Sequence, residues 1–228
     1  ALMLMPGFSA TYVNARLRLV LGLTISFVMF PVLAARLPLP PNTISDLALV
    51  LSGEVVVGVF FGFILRILIS ALQTVGTIAA LASSLANALI QDPVADQQSS
   101  IISGFLLTVG MVLIFVSDLH HLMLRALLET YVIFEPGERL PFGDFAKTLG
   151  RQVADSFNLG LQMSAPFVVV GLTYYIGLGL LGRLMPQLPV FFFGLPIQIS
   201  LQIFVFTITI SGIMLAFIQN FEAKVNRF

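Results

Sequence analysis

The chain has 228 residues, its 11 Lys and Arg balance 11 Asp and Glu, and charged residues make up only 10% of it, against about 25% in a soluble domain. Together with 58% hydrophobic residues, that deficit leaves too little polar surface for water and marks an integral membrane protein. The cancelled charge removes the basic field that nucleic acid requires, and the lack of cysteine excludes disulfides, zinc ribbons, iron–sulfur clusters and thiol nucleophiles.

The chain opens on Leu2-Met3-Leu4-Met5 with neither an initiator Met nor the charged region of a signal peptide, so a preceding segment is expected. A spanning helix needs about 20 mainly apolar residues, and five stretches come close. Residues 19–35 are uncharged between Arg18 and Arg36, and Pro38, Pro40 and Pro41 then stop any helix at a first hairpin turn. Residues 47–90 carry only Glu54 and Arg66. As one helix they would extend roughly 66 Å, twice a hydrocarbon core, so they must bend, break or leave the membrane. Their second half, residues 73–91, is rich in Thr, Ser, Ala and Asn, which predicts a helix packed inside protein before Asp92-Pro93 interrupts it.

Residues 97–117 form the next uncharged stretch and end at Asp118-Leu119-His120-His121. Residues 129–155 concentrate eight charges and read as the longest solvent-exposed segment, with a turn at Pro136-Gly137. Residues 156–182 and 190–221 flank the run from Arg183 to Pro189 and predict a second helical hairpin. Short loops with one basic residue each leave the orientation open under the positive-inside rule.

Glu54, Gly58 and Gly62 recur every four residues and so form one slowly drifting helical stripe that lets another helix approach closely. An intramembrane Glu faces protein or water. It could serve a proton or ion relay, but no second acidic residue lies in the uncharged spans to continue one, which favours an inter-subunit polar contact. Asp118, His120 and His121 could ligate a metal, yet adjacent histidines on a helix diverge by about 100°, and an interfacial helix end accounts for them better. The run from Gly177 to Gly182 has the letters of a dinucleotide fingerprint without the surrounding βαβ unit. No Ser-His-Asp spacing, Walker loop or metalloprotease motif is present. The scattered methionines serve as core filler, whereas Phe191-Phe192-Phe193 beside Gly194 and Pro196 belongs at an interface or in a protein groove.

Several of these residues, in this order, carry a family pattern. Met5-Pro6, Asn14-Ala15-Arg16-Leu17-Arg18, Phe30-Pro31, the Glu54-Gly58-Gly62-Phe63 stripe, Asp92-Pro93, His121, Pro136-Gly137 and Ala165-Pro166 precede the most specific run. That run is Gly179-Leu180-Leu181-Gly182-Arg183-Leu184-Met185-Pro186-Gln187-Leu188-Pro189-Val190-Phe191, with Gly194 and Pro196 behind it. Over essentially its whole length the chain resembles the FliR/SctT family of flagellar and virulence type III export gates. It departs from the family at both ends and at His120-His121, where relatives often have Gly-His.

The resemblance implies an all-α integral membrane fold of bent helical hairpins, like a fusion of the smaller FliP-type and FliQ-type gate subunits, packed with them in a hetero-oligomeric helical ring. Residues 1–155 would be the FliP-like region and residues 156–228 the FliQ-like hairpin. It implies a non-enzymatic subunit of the inner-membrane export channel for unfolded flagellar or virulence substrates, with no catalytic, metal or cofactor site. Asp92, Pro93, Val94, Ala95, Asp96, Gln97, Gln98 and Ser99 would match the family's pore plug, where non-helical backbone is tolerated because it lines a cavity. Glu54, Gly58, Gly62 and Arg66 would serve helix packing or inter-subunit contact. Arg183, Met185, Pro186 and Gln187 would lie at the cytoplasmic hairpin tip, where an FlhB-type subunit wraps the entrance. Lipid is the remaining partner. The rival reading is a self-contained secondary transporter using Glu54 and Arg66; a third is a lipid-modifying enzyme built on Asp118, His120 and His121.

Overall fold

The computed structural model describes residues 1–8, 14–34, 43–85, 89–91, 98–138, 140–185, 187 and 190–227. Helix α1 (Ala15–Leu33) begins where the Asn14 side chain accepts the Arg16 amide at 3.2 Å, satisfying one of the orphan donors of the first turn. It has no buried residue. Thr24 and Ser26 return their hydroxyls to the carbonyls of Val20 and Gly22 at 2.9 and 2.8 Å, so an apolar surrounding meets no unsatisfied side chain there. The prolines expected to form the first turn fall outside the described residues.

Helix α2 (Ile44–Ala82) runs through 39 residues, about 58 Å, and of the outcomes posed for residues 47–90 a break occurs, at its end. It stops at Ala82, earlier than the expected 91. The stop is a Schellman arrangement: Ser84 takes a left-handed φ of 59°, its amide donates to Leu81 at 3.2 Å, and the Leu85 amide donates to Ala80 at 2.9 Å. Serine rather than glycine at the left-handed position hides this stop from a sequence reading. Beyond it, β1 (Leu89–Gln91) pairs antiparallel with β2 (Gln98–Ser100), with Leu89 opposite Ser100 and Gln91 opposite Gln98. The fold is helical as expected, with this one short ribbon added among the described residues.

Helices α3 (Ile101–Val116) and α4 (Leu119–Ile133) meet at a 77° bend around Ser117 and Asp118. Helix α5 (Phe142–Leu184) and helix α6 (Val190–Val225) follow. Helices α1, α2, α5 and α6 are long and apolar enough to cross a membrane, and the bent α3–α4 pair supplies a fifth span if taken as one. The polar segment 129–155 proves to be mostly helical. Its loop is short, with Gly137 at φ 95° in the expected turn. Phe145 is buried, because it stacks on Phe60 at 4.1 Å.

The chain divides into two compact units. Unit 1 comprises Ala1–Ile69, Met111–Asp155 and Asn220–Phe228. Its core joins Phe60 and Phe145 to Phe134, which meets both rings edge-on, with Ile64 fully buried beside them. Lys224 near the end of α6 pairs with Asp155 of α5.

Unit 2 comprises Ser70–Gly110 and Ser156–Gln219. Here helices touch through missing side chains. A Cβ on Gly76 would stand 2.3 Å from Cα of Ser103, and one on Gly160 would stand 2.7 Å from Cβ of Thr74. Helices α5 and α6 form the predicted antiparallel hairpin: Tyr174 donates to the Gly194 carbonyl at 2.5 Å, and farther from the tip Gln202 donates to the Phe167 carbonyl at 3.2 Å.

Gly76→Ala should lower stability by about 1–3 kcal/mol, since the added methyl meets backbone and the helices must part. Gly177→Ala, with nothing within 4 Å, should leave thermal unfolding in detergent unchanged. A Gly76→Ala protein that melts with the parent would contradict the packing described.

Candidate functional site

Glu54 lies in unit 1, half-buried on α2, and accepts a hydrogen bond at 2.8 Å from the Tyr131 hydroxyl of α4. Both line a cavity of about 490 Å³ with Arg18, Ser26, Gly58 and Thr130. The glycines of the stripe are covered by the N-terminal residues, not by a helix. A Cβ on Gly58 would stand 2.9 Å from the Ala1 nitrogen, and one on Gly62 would stand 2.5 Å from Cβ of Leu4. A turn segment of the chain's first residues thus lies in the slot beside both glycines. Arg66 is exposed on the same helix, twelve residues from Glu54 and so about 18 Å along the axis, too far for the two to act on one bound ion.

The segment expected to plug a pore is bracketed in unit 2. Residues 92–97 fall outside the described residues, whereas Gln98 and Ser99 lie in β2. The root of the ribbon is tied to α2 and α3. Ser100, the last residue of β2, caps α3 by accepting the Ser103 amide at 3.2 Å, and its hydroxyl lies 3.3 Å from the Gly76 carbonyl. Ser103 in turn donates to the Gln73 carbonyl at 3.2 Å. This hydroxyl network occupies the gap left by the absent Gly76 side chain, and it satisfies the Ser103 amide, an orphan donor of the first turn of α3.

The end of α2 is held by a buried amide. Gln198 on α6 donates at 2.6 Å to the Ala82 carbonyl, one of the orphan acceptors at the end of α2, and lies 2.8 Å from the Tyr175 hydroxyl. Gln202, one turn further on, is also buried. Neither was singled out from the sequence. The available signal was a pair of amides four residues apart in the mainly apolar first half of α6, which places both on one face where only protein can satisfy them.

At the other end of the hairpin Arg183 is exposed in the last turn of α5, where its charge complements the helix dipole. Met185 and Gln187 are exposed beyond it, and Pro186 lies outside the described residues. Gly177, Gly179 and Gly182 have open space before them. Phe192 and Phe193 stand 82% and 64% exposed, so they fill no groove of this chain. Asp118, His120 and His121 do come together: the histidine rings lie 4.1 Å apart in place of the divergence expected of neighbours on a helix.

Long apolar helices with open faces, whose hydroxyls and amides are bonded internally, define a polytopic membrane protein that completes its surface against lipid or other chains. The chain belongs to the family described as bacterial export proteins, family 1, whose model matches residues 1–223. It is 30% identical over 226 residues to the flagellar biosynthetic protein FliR of Caulobacter vibrioides, covering 99% of this chain and 90% of that one. Against FliR of Bacillus subtilis the identity is 29% over 170 residues, 73% of this chain and 65% of that one. The Yop proteins translocation protein T of Yersinia pestis is 29% identical over 161 residues, 67% of this chain and 59% of that one. The protein is therefore a membrane component of a type III export apparatus.

Gln198→Leu should destabilise the chain by about 1–3 kcal/mol, because the Ala82 carbonyl and Tyr175 hydroxyl lose their buried partner. Hydrogen exchange at residues 80–85 should quicken. Ser200→Ala removes a hydroxyl bonded only to its own helix at 2.9 Å and should leave those amides unaffected; equal exchange in both variants would show that Gln198 does not hold the end of α2.

Proposed function

We propose that the chain is a non-enzymatic channel subunit of the type III export gate in the bacterial inner membrane. It lends hairpins to a helical ring completed by FliP-type and FliQ-type subunits, through which unfolded flagellar or virulence substrates pass. Residues 1–155 act as the FliP-like part and residues 156–228 as the FliQ-like hairpin. The driving energy comes from other components, since no catalytic motif stands in the sequence.

The observation that carries this reading is the ribbon. Its strands bracket residues 92–97 between α2 and α3, and Ser100 at the end of β2 is bonded to Gly76 of α2 and Ser103 of α3. The polar composition of Asp92, Pro93, Asp96 and Gln97 suits a plug that closes a pore by default. The uncovered surface supports the ring. Helix α1 has no buried residue, and the faces of α5 carrying Gly177, Gly179 and Gly182 are open for close helix approach. The exposed tip at Arg183, Met185 and Gln187 would meet the FlhB-type subunit at the cytoplasmic entrance.

Native mass of the detergent-extracted protein tests the assembly. One copy should appear within a much larger complex holding several FliP-type and FliQ-type chains, and the chain expressed alone should be scarce. A stable monomer or homodimer indifferent to those partners would point instead to a self-contained transporter. Deleting residues 96–99, which spares the Ser100 anchor, should make the closed gate leak ions and small solutes by loss of the plug. Unchanged membrane permeability would remove that role from the loop.

A further inference from the structure

Asp118, His120 and His121 occupy the break between α3 and α4, and each offers a ligand atom within 4.8 Å of the others. Two features of the site are unexplained by packing. Asp118 holds a left-handed φ of 57° as the residue that ends α3, its amide donating to the Phe115 carbonyl at 3.3 Å. It stands at the N-cap of α4, yet its carboxylate makes no capping bond, although accepting the amides of the first turn is what a capping Asp ordinarily does. The carboxylate faces His121 Nδ1 at 3.6 Å. That is too long for a hydrogen bond and close to the roughly 3.3–3.4 Å between two ligands on one tetrahedral ion with bonds of about 2.0–2.1 Å.

His120 supplies the second feature. Its ring is stacked between Phe115 and His121, with centroids 5.1 and 4.1 Å away, so its orientation is set by packing. Its Nδ1 is buried and has no hydrogen-bond partner among the described residues, where a buried imidazole nitrogen ordinarily has one. The His121 amide bonds the Asp118 carbonyl at 3.0 Å, which holds the short segment closed around the three donors.

We infer that Asp118, His120 and His121 form a binding site for a divalent transition-metal ion, Zn²⁺ being the representative. Two imidazoles and a carboxylate suit zinc, nickel or copper and not magnesium or calcium, which take all-oxygen shells. The Asp118 and His121 side chains are 79% and 70% exposed, so water completes the coordination from the open side. All three donors come from four consecutive residues, so the ion staples the turn itself. It holds Asp118 in its left-handed conformation and stiffens the 77° bend between α3 and α4.

The test is a Zn²⁺ titration of the untagged full chain, extracted in detergent with whatever subunits accompany it, against a fluorescent zinc indicator. Saturable uptake at micromolar metal is expected. Asp118→Asn keeps the left-handed preference, His121→Gln changes an exposed side chain, and His120→Phe keeps the stack on Phe115. Each should weaken the uptake by about tenfold or more through loss of one of three donors. Zinc should also slow hydrogen exchange at residues 117–121 in the parent and not in the variants. Absence of saturable uptake below millimolar Zn²⁺, or uptake of parental affinity in all three variants, would overturn the site.

Discussion

The meeting of α2 with α3 and the root of the ribbon depend on the absence of a side chain at Gly76. With backbone of α2 and α3 in contact there, the Ser100 and Ser103 hydroxyls reach the carbonyls of Gly76 and Gln73. Those bonds cap α3, and the cap fixes where the ribbon leaves the helices. In lipid there is no hydrophobic force to press helices together, so close backbone approach and internal hydrogen bonds must supply cohesion. The same logic recurs at Gly160 against Thr74 and at Gln198, whose amide answers the terminal carbonyl of α2. A short ribbon is rarely stable by itself; this one is anchored at its base by groups that would be costly to leave unpaired.

Unit 1 solves a related problem with aromatic rings. Phe60, Phe134 and Phe145 pack edge-on and stacked around Ile64, and they draw the start of α5 onto α2. The polar character of residues 129–155 therefore belongs to one face of helices whose other face is apolar. The long faces left uncovered in both units, such as Phe27 on α1 at 81% exposure and Phe192 on α6 at 82%, are what a chain has when its neighbours are lipid and other subunits. Their scale distinguishes them from the isolated exposed hydrophobics of any soluble surface.

Much of the organisation was legible in advance. Charge spacing located the apolar helices because a charge in hydrocarbon is costly, and the Gly179–Phe191 run carried the family. What stayed hidden has specific causes. The end of α2 was misplaced because a serine, Ser84, occupies the left-handed position usually marked by glycine. Tyr131 went unnoticed as the partner of Glu54 because the two are 77 residues apart. The glycines that matter most for packing, Gly76 and Gly160, look in sequence like any others. Conversely Gly177, Gly179 and Gly182 stand out as a motif, but a Cβ on any of them would meet no other part of the chain within 4 Å.

Composition and charge spacing by themselves determined the membrane class and the helical spans, Pro136-Gly137 marked the turn, and the order of the motif residues carried the resemblance to export proteins. These follow from local energetics: transfer of side chains from water, backbone propensity, and the order of residues along the chain. Tertiary structure alone decided which glycine becomes a contact, which hydroxyl reaches another helix, and that Gln198 meets the end of α2. Those outcomes depend on which atoms meet across distant segments, and a hydrogen bond or a steric gap has no identity until its second partner is in place.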